Sequence, residues 1–313
     1  MPFKIGARKS KLARIMAQEV KDLLLRFYDL SPTDIEIENF ETTGDKIQNQ
    51  ALSDFGGKGL FTKEIEESLL TGRISLAVHS AKDMPIHLPE GLKIIGFLPR
   101  EDVRDAFISR DGAHFKSLKP GSIIGTAALR RRALVKKLRP DLEVEVFRGN
   151  VDTRLRKLEN GVVDGTFLAL CGLKRMQLEH IVTEIMDVDD FLPSPGQGAI
   201  CLEIRADDQQ LAEFLQPILD QKTGVELACE RSFLNVLEGS CRTALSCYAR
   251  LHEDTIHAQA AIYLPNGESF YKIEETASKI DSELLGQEMA LQLKKIAGES
   301  FFRLWRDTNP YTK

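Results

Sequence analysis

No two cysteines of this chain form a CxxC pair, and none stands at zinc-ligand spacing from another cysteine or a histidine. The five of them, Cys171, Cys201, Cys229, Cys241 and Cys247, are odd in number, and the six histidines are scattered, so neither a disulfide framework nor a metal site is expected. No apolar run approaches the roughly 18 residues of a membrane span. Met1-Pro2-Phe3-Lys4-Ile5 has no apolar signal-peptide core behind it, which leads to the expectation of a cytoplasmic protein without a membrane partner. Positive charge is not in excess either: the net charge is -5, whereas a nucleic-acid partner normally needs a broad basic face. There is no repeat of fixed period and no low-complexity segment.

What is present is a local reversal of that charge. From Arg130 to Lys157 ten Lys and Arg face only Asp141, Glu143, Glu145 and Asp152. Arg130-Arg131-Arg132 follows directly on Gly125-Thr126-Ala127-Ala128-Leu129. One basic pocket on an acidic protein suits a small polyanion, while a solvated helix face accounts for the same stretch. Both readings stand at this point.

The length suggests two or three domains at about 150 residues each. Short apolar runs alternate with helical periodicity through the first two thirds. Phe3 to Ala7 reads as a strand and Ser10 to Leu30 as a helix with the stripe Leu12, Ile15, Met16, Glu19, Val20, Leu23, Leu24 and Phe27. A strand at 34–40, a glycine-rich loop at 55–59, a helix at 62–70 and a buried strand at 75–78 follow. A second series has strands near 106–108, 123–124, 144–146 and 167–170, separated by helices near 129–138 and 151–158. The βαβα order predicts mostly parallel sheets. Residues 99–104 and 192–198 read as crossings between domains, and 199–204 as a strand returning to the first sheet. From about Thr223 the pattern changes to a helix, strands near 244–251 and 256–263, and a long helix. The expected division is therefore 1–99 with 199–218, 100–198, and a smaller α+β domain at 219–313.

Polar groups gather where strands end. Val78-His79-Ser80 leads into Ala81-Lys82-Asp83-Met84-Pro85, at the carboxyl edge where open α/β sheets bind ligands. Asp83 there can stabilise a developing cation or move a proton, or it is an ordinary turn residue before Pro85. Ser80-Ala81-Lys82 lacks the SxxK spacing of acyl-transfer enzymes, and Gly56-Gly57-Lys58-Gly59 lacks the phosphate-loop pattern. Three strand-to-helix junctions are basic: Gly125 to Arg131, Arg148-Gly149-Asn150 with Arg154, and Lys174-Arg175. Helix N-termini and planar guanidinium forks both receive carboxylates. Cys241 stands beside Arg242, whose charge favours the thiolate.

Taken together, these segments resemble the porphobilinogen deaminase (hydroxymethylbilane synthase) family. The resemblance runs from end to end through Arg8-Lys9-Ser10, Gly56 to Phe61, Ala77 to Asp83, Glu101 to Phe107, Arg148 to Val151, Gly172 to Arg175, Gly196 to Ala199 and Leu237 to Cys241. It implies three domains of α/β type, the first two similar to type 2 periplasmic binding proteins, with the active site in the cleft between those two. It implies a dipyrromethane cofactor held through a thioether at Cys241, to which four molecules of porphobilinogen are added head to tail with loss of ammonia. Hydrolysis then releases hydroxymethylbilane. By the same resemblance Asp83 is catalytic. Lys82, Ser80, Thr126, Arg130 and Arg131 attend the cofactor, and Arg8, Ser10, Arg148, Arg154, Arg175 and Lys58 the substrate. Lys58 falls in what resembles the family's mobile active-site loop. Every pyrrole carries an acetate and a propionate, which explains the arginines. A monomer without a nucleic-acid partner is expected.

This chain departs from the family in places. Ala127-Ala128 replaces the common Ser-Ser, Asp152 a usual glycine, and Arg242-Thr243-Ala244 the more typical Gln-Val-Pro. The competing reading is a catalytically weak or inactive relative that grips tetrapyrrole or other polycarboxylate ligands.

Overall fold

The computed structural model describes residues 3–46, 60–237 and 244–307. They form two compact units, residues 1–101 with 198–224 and residues 102–197 with 225–313.

The first unit contains β1 (Phe3–Arg8), α1 (Lys11–Tyr28), β2 (Ile35–Phe40), α2 (Thr43–Lys46), α3 (Lys63–Leu70), β3 (Leu76–Ser80) and β4 (Leu92–Phe97). The second unit opens with β5 (Asp105–Ser109), β6 (Ile123–Gly125), α4 (Leu129–Leu138), β7 (Glu143–Glu145), α5 (Val151–Glu159), β8 (Gly165–Ala169), α6 (Leu170–Arg175) and β9 (Glu184–Ile185). The chain then rejoins the first sheet as β10 (Ile200–Arg205), followed by α7 (Gln209–Leu215).

Both sheets are five-stranded, ordered β2-β1-β3-β10-β4 and β7-β6-β8-β5-β9. In the first, β10 runs antiparallel to both neighbours, while β1 pairs in parallel with β2 and β3. In the second, β5 is the antiparallel strand between β8 and β9. The same order thus appears twice: second strand, first, third, an antiparallel strand from across a crossover, then the fourth. The mostly parallel α/β architecture expected from the sequence is observed.

Local chemistry sets the elements. Ser10 caps α1 by accepting from the Ala13 N–H at 3.3 Å, and Asp29 ends the helix in the left-handed conformation. The buried stripe of α1 is Ala13, Met16, Ala17, Val20 and Leu24, packed on Ile5, Val78, Leu202 and Ile204. Fully burying a side chain the size of Leu24 contributes about 1.5–3 kcal/mol. Phe27, expected on this stripe, is 56% exposed, on the last turn of the helix, which ends one residue later. Gly198 has φ +95°, and a Cβ there would collide with the Glu101 carbonyl, so the crossover back into β10 requires glycine.

The third, smaller domain comprises α8 (Gln221–Val236), β11 (Leu245–His252), β12 (Thr255–Tyr263), β13 (Phe270–Ser278) and α9 (Ser282–Asp307), kinked at Gly298. Its antiparallel sheet β11-β12-β13 buries Cys247, Ala258, Ala260 and Ile262 against Phe233 of α8 and Met289 and Leu293 of α9. The sequence reading passed over β13. This edge strand is largely exposed along FYKIEETAS, which leaves little apolar signal. The Glu230 carboxylate, fully buried on α8, accepts the Gly196 N–H at 2.7 Å and the Ala249 N–H at 2.9 Å, tying the 192–198 segment and β11 to one helix.

Candidate active site

In the first unit the candidate residues lie at the carboxyl ends of the parallel strands. Ser80 ends β3, and a single helical turn, Ala81–Asp83, follows, pinned by the bond from the Ala81 N–H to the Ala199 carbonyl at 3.0 Å. Buried Ala81 and Met84 anchor this turn on either side of Lys82 and Asp83. The Asp83 side chain is 34% exposed, with Arg8 Nη1 3.9 Å from its Oδ2. Arg8, the last residue of β1, lies over the Phe61 ring at 4.4 Å. A partly exposed carboxylate at a strand edge can meet a positive centre or take up a proton. Ser10 is committed to capping α1. Directly behind Ser80, buried His79 Nε2 lies 3.0 Å from Glu203 Oε2, joining β3 to β10.

The second unit repeats the arrangement with basic residues. Thr126 is buried after β6; its hydroxyl accepts the Ala128 N–H at 3.2 Å and its own N–H bonds the Glu145 carbonyl at 2.9 Å. Ala128 occupies the N-cap of α4 in the extended conformation that position requires, yet makes no side-chain cap bond. After β7, Gly149 adopts φ +122° and Asn150 caps α5 by accepting the Thr153 N–H at 2.9 Å. Arg154 Nε donates to the Gly149 carbonyl at 2.8 Å. Arg148 Nε is buried without a hydrogen-bond partner among the described residues. A buried guanidinium N–H left unpaired costs free energy until an acceptor reaches it. Arg175 ends α6, and the neighbouring Lys174 lies 3.8 Å from Asp102.

Arg130 and Arg131 differ from the expected open forks. Both are buried, 4% and 6% exposed, on the first turn of α4. Arg130 Nη2 donates to Asp105 Oδ2 and Arg131 Nη2 to Asp105 Oδ1, each at 2.6 Å. Their Nη1 atoms donate to the Leu192 and Phe167 carbonyls, each at 2.8 Å. The physical reason is Asp105, a fully buried carboxylate on β5 that needs counter-ions. Burial raises its pKa, yet the charges and hydrogen bonds of Arg130 and Arg131 hold it well below the usual carboxylate range. Arg131 Nε is buried without a partner among the described residues. Sequence pattern assigns Asp105 no role; a lone charge opening the apolar run Asp105-Ala106-Phe107-Ile108 is the available signal.

Cys241 and Lys58 lie outside the described residues. Among the described residues no group of His, Cys, Asp and Glu is arranged to hold a metal ion, and no helix is long and apolar enough to cross a membrane.

These features define an α/β protein with two sheets of like order, each presenting charged side chains at the carboxyl ends of its parallel strands. The chain belongs to the porphobilinogen deaminase family. Residues 3–213 match the family model described as porphobilinogen deaminase, dipyrromethane cofactor binding domain, and residues 225–295 match that of the C-terminal domain. A porphobilinogen deaminase of Nitrobacter hamburgensis is 50% identical over 301 residues, covering 96% of this chain and 95% of the relative. That of Nitrobacter winogradskyi is 48% identical over the same shares. Similar solved structures include a Salmonella typhimurium periplasmic binding protein of high arginine specificity (14% identity, 71% of this chain, 93% of that one, TM-score 0.41). Another is the periplasmic aliphatic sulphonate binding protein from Escherichia coli (16% identity, 76% of this chain, 70% of that one, TM-score 0.42). At those scores the fold assignment rests on the strand order described above.

Proposed function

We propose that this protein is a porphobilinogen deaminase, a transferase of tetrapyrrole biosynthesis that joins four molecules of porphobilinogen head to tail and releases hydroxymethylbilane. The observation that carries the reading is the match of residues 3–213 to the dipyrromethane cofactor binding domain. The donor set suits such a group. Arg148 and Arg131 each keep a buried Nε without a partner, and carboxylates are the acceptors that guanidinium forks hold best. Cys241 would hold the dipyrromethane through its Sγ, with Arg130, Arg131, Thr126, Ser80 and Lys82 around it. When bound, that group supplies the nucleophilic pyrrole carbon that begins the chain.

The remaining chemistry falls to this chain's residues. Arg8, Arg148, Arg154 and Arg175, with Lys58, receive substrate acetates and propionates, and Ser10 fixes the start of α1 beside Arg8. As the substrate's C–N bond breaks and ammonia leaves, positive charge develops on its pyrrole. The Asp83 carboxylate stabilises that charge, and its Oδ takes the proton lost when the new C–C bond restores aromaticity. Arg8 Nη1, 3.9 Å from the Asp83 carboxylate, is the cation beside it. A cytoplasmic monomer completes the reading.

Intact mass of the purified full chain, with porphobilinogen consumption measured alongside, tests it. The wild type carries an excess equal to one dipyrrole and consumes substrate, and Cys241→Ala shows neither. An unmodified wild type that binds polycarboxylates without turnover identifies a non-catalytic binding relative.

A further inference from the structure

The two faces of the first sheet are packed differently. Leu76 and Val78 of β3, with Leu202 and Ile204 of β10, point to α1 and share its apolar core. The residues between them point the other way, because side chains alternate along a strand. Ala77 packs with Ile65 and Leu69 of α3, and Glu203 stands opposite Ala77 in the antiparallel register of β3 and β10. His79, two residues beyond Ala77, therefore meets Glu203 on the α3 side, Nε2 to Oε2 at 3.0 Å. Glu66 is buried on α3 itself. A layer built from Phe40, Ile65, Leu69, Ile74, Ala77 and Leu92 thus also holds one imidazole and two carboxylates.

This is a poor way to stabilise a sheet. Glu66 Oε1 and Glu203 Oε1 are buried without hydrogen-bond partners among the described residues, and hydrocarbon of similar volume often serves stability as well as a buried polar pair. What a hydrogen bond adds is direction. A ring nitrogen and a carboxylate oxygen meet in few geometries, whereas apolar side chains repack. The pair sits where direction matters, since Ser80 follows His79 and the Ala81–Asp83 turn follows Ser80. β10 holds this end of β3 twice more, with Ile200 opposite Ser80 and the Ala199 carbonyl on the Ala81 N–H. On the other side of β10 the ladder to β4 slips between Leu202 and Glu203, a bulge of the kind that re-aims a side chain. We infer that His79 and Glu203 are positioning residues, whose hydrogen bond fixes the carboxyl end of β3 and so the direction in which the turn presents the Asp83 carboxylate. This role rests on the proposed function, in which Asp83 acts on porphobilinogen. Burial favours the protonated form of Glu66, which keeps a second negative charge away from Glu203.

Steady-state turnover of porphobilinogen by the purified full chain tests the pair, with each preparation normalised to its dipyrrole-loaded fraction by intact mass and its melting temperature recorded. Glu203→Leu leaves the His79 ring nitrogen facing hydrocarbon; kcat falls about tenfold while KM stays within about twofold, the scale of one hydrogen bond to a charged group. Glu203→Gln keeps an acceptor for the ring N–H and remains within about threefold of wild type. His79→Leu with Glu203→Leu removes both partners, so the melting temperature returns toward the wild-type value, yet kcat stays at least about fivefold low because the directional contact is gone. If Glu203→Leu does not fold, the double variant decides. Wild-type kcat in Glu203→Leu, a loss confined to KM, or a double variant that regains turnover together with stability overturns the inference, the last by making the pair merely structural. A wild type that neither carries the dipyrrole nor consumes porphobilinogen ends the proposed function and this role with it, whereas an active wild type beside an unimpaired Glu203→Leu ends this role alone.

Discussion

Replacing Asp105 by Asn removes the single negative charge that Arg130 and Arg131 share. Both carboxylate oxygens are bonded at 2.6 Å to guanidinium nitrogens, and Gln197 Nε2 adds a third donor at 3.1 Å. An amide offers one acceptor and turns an NH2 toward a donor, so one arginine loses its bond and both lose their counter-ion. Breaking a buried pair by removing one partner costs about 3–5 kcal/mol. At roughly 2–4 °C per kcal/mol the melting temperature falls by about 10 °C, read by scanning calorimetry on the transition of the second unit. The pH dependence adds a sharper signature. The Asp105 pKa is depressed in the folded state, so its stabilisation is fully present above the unfolded carboxylate value of about 3.9 and is lost as pH falls through the folded value. The gap between wild type and Asp105→Asn therefore stays constant from pH 8 to about pH 5 and narrows only below about pH 4. A gap under about 1 kcal/mol, or one that changes between pH 5 and 8, refutes the reasoning. The triple change Asp105→Leu, Arg130→Met, Arg131→Met separates the cost of orphaned charge from the net worth of the trio, since apolar replacement of a buried ion cluster is often neutral or stabilising.

Ala128→Ser supplies the cap bond that α4 lacks, and the extended backbone at that position is already suited to it. A gain of about 1 kcal/mol, some 2–4 °C in melting temperature, is expected, and an unchanged melting temperature rejects the cap. Asp83→Asn leaves stability within about 1 kcal/mol, because its ion pair with Arg8 is long and partly exposed. The same change lowers porphobilinogen turnover by at least about 100-fold, and near-normal product formation would remove Asp83 from the mechanism. Glu66 is buried, which raises its pKa. Its contribution to stability is thus present at low pH and lost as pH rises through the folded value, so Glu66→Gln is the more stable protein at pH 8 and loses that advantage near pH 4. Thermal melts in which the variant gains nothing between those two values speak against it.

Periodicity and turn chemistry made most of the fold legible, because those signals are carried within a dozen residues. The helix α1, with Met16, Val20 and Leu24 of its expected stripe, and the returning strand β10 are local or pattern-level facts, and they are readable as such. What a sequence does not state is which distant group a charge will meet. Arg130 and Arg131 open a helix after a strand, where ligand-facing forks are a reasonable expectation. Their partner Asp105 sits 25 and 26 residues away on a strand inserted antiparallel beside β8, and only the strand order brings it under α4. The same blindness hides the partner of His79, since Glu203 lies on the returning strand β10. Arg148 shows the opposite outcome. It follows β7 as Arg130 follows β6, and its Nε is buried without a hydrogen-bond partner among the described residues. Arg131, although its Nη atoms are taken by Asp105 and the Phe167 carbonyl, likewise keeps its Nε without a partner among the described residues. An incoming carboxylate gains most where it relieves a desolvated donor such as Arg148 Nε without competing with Asp105.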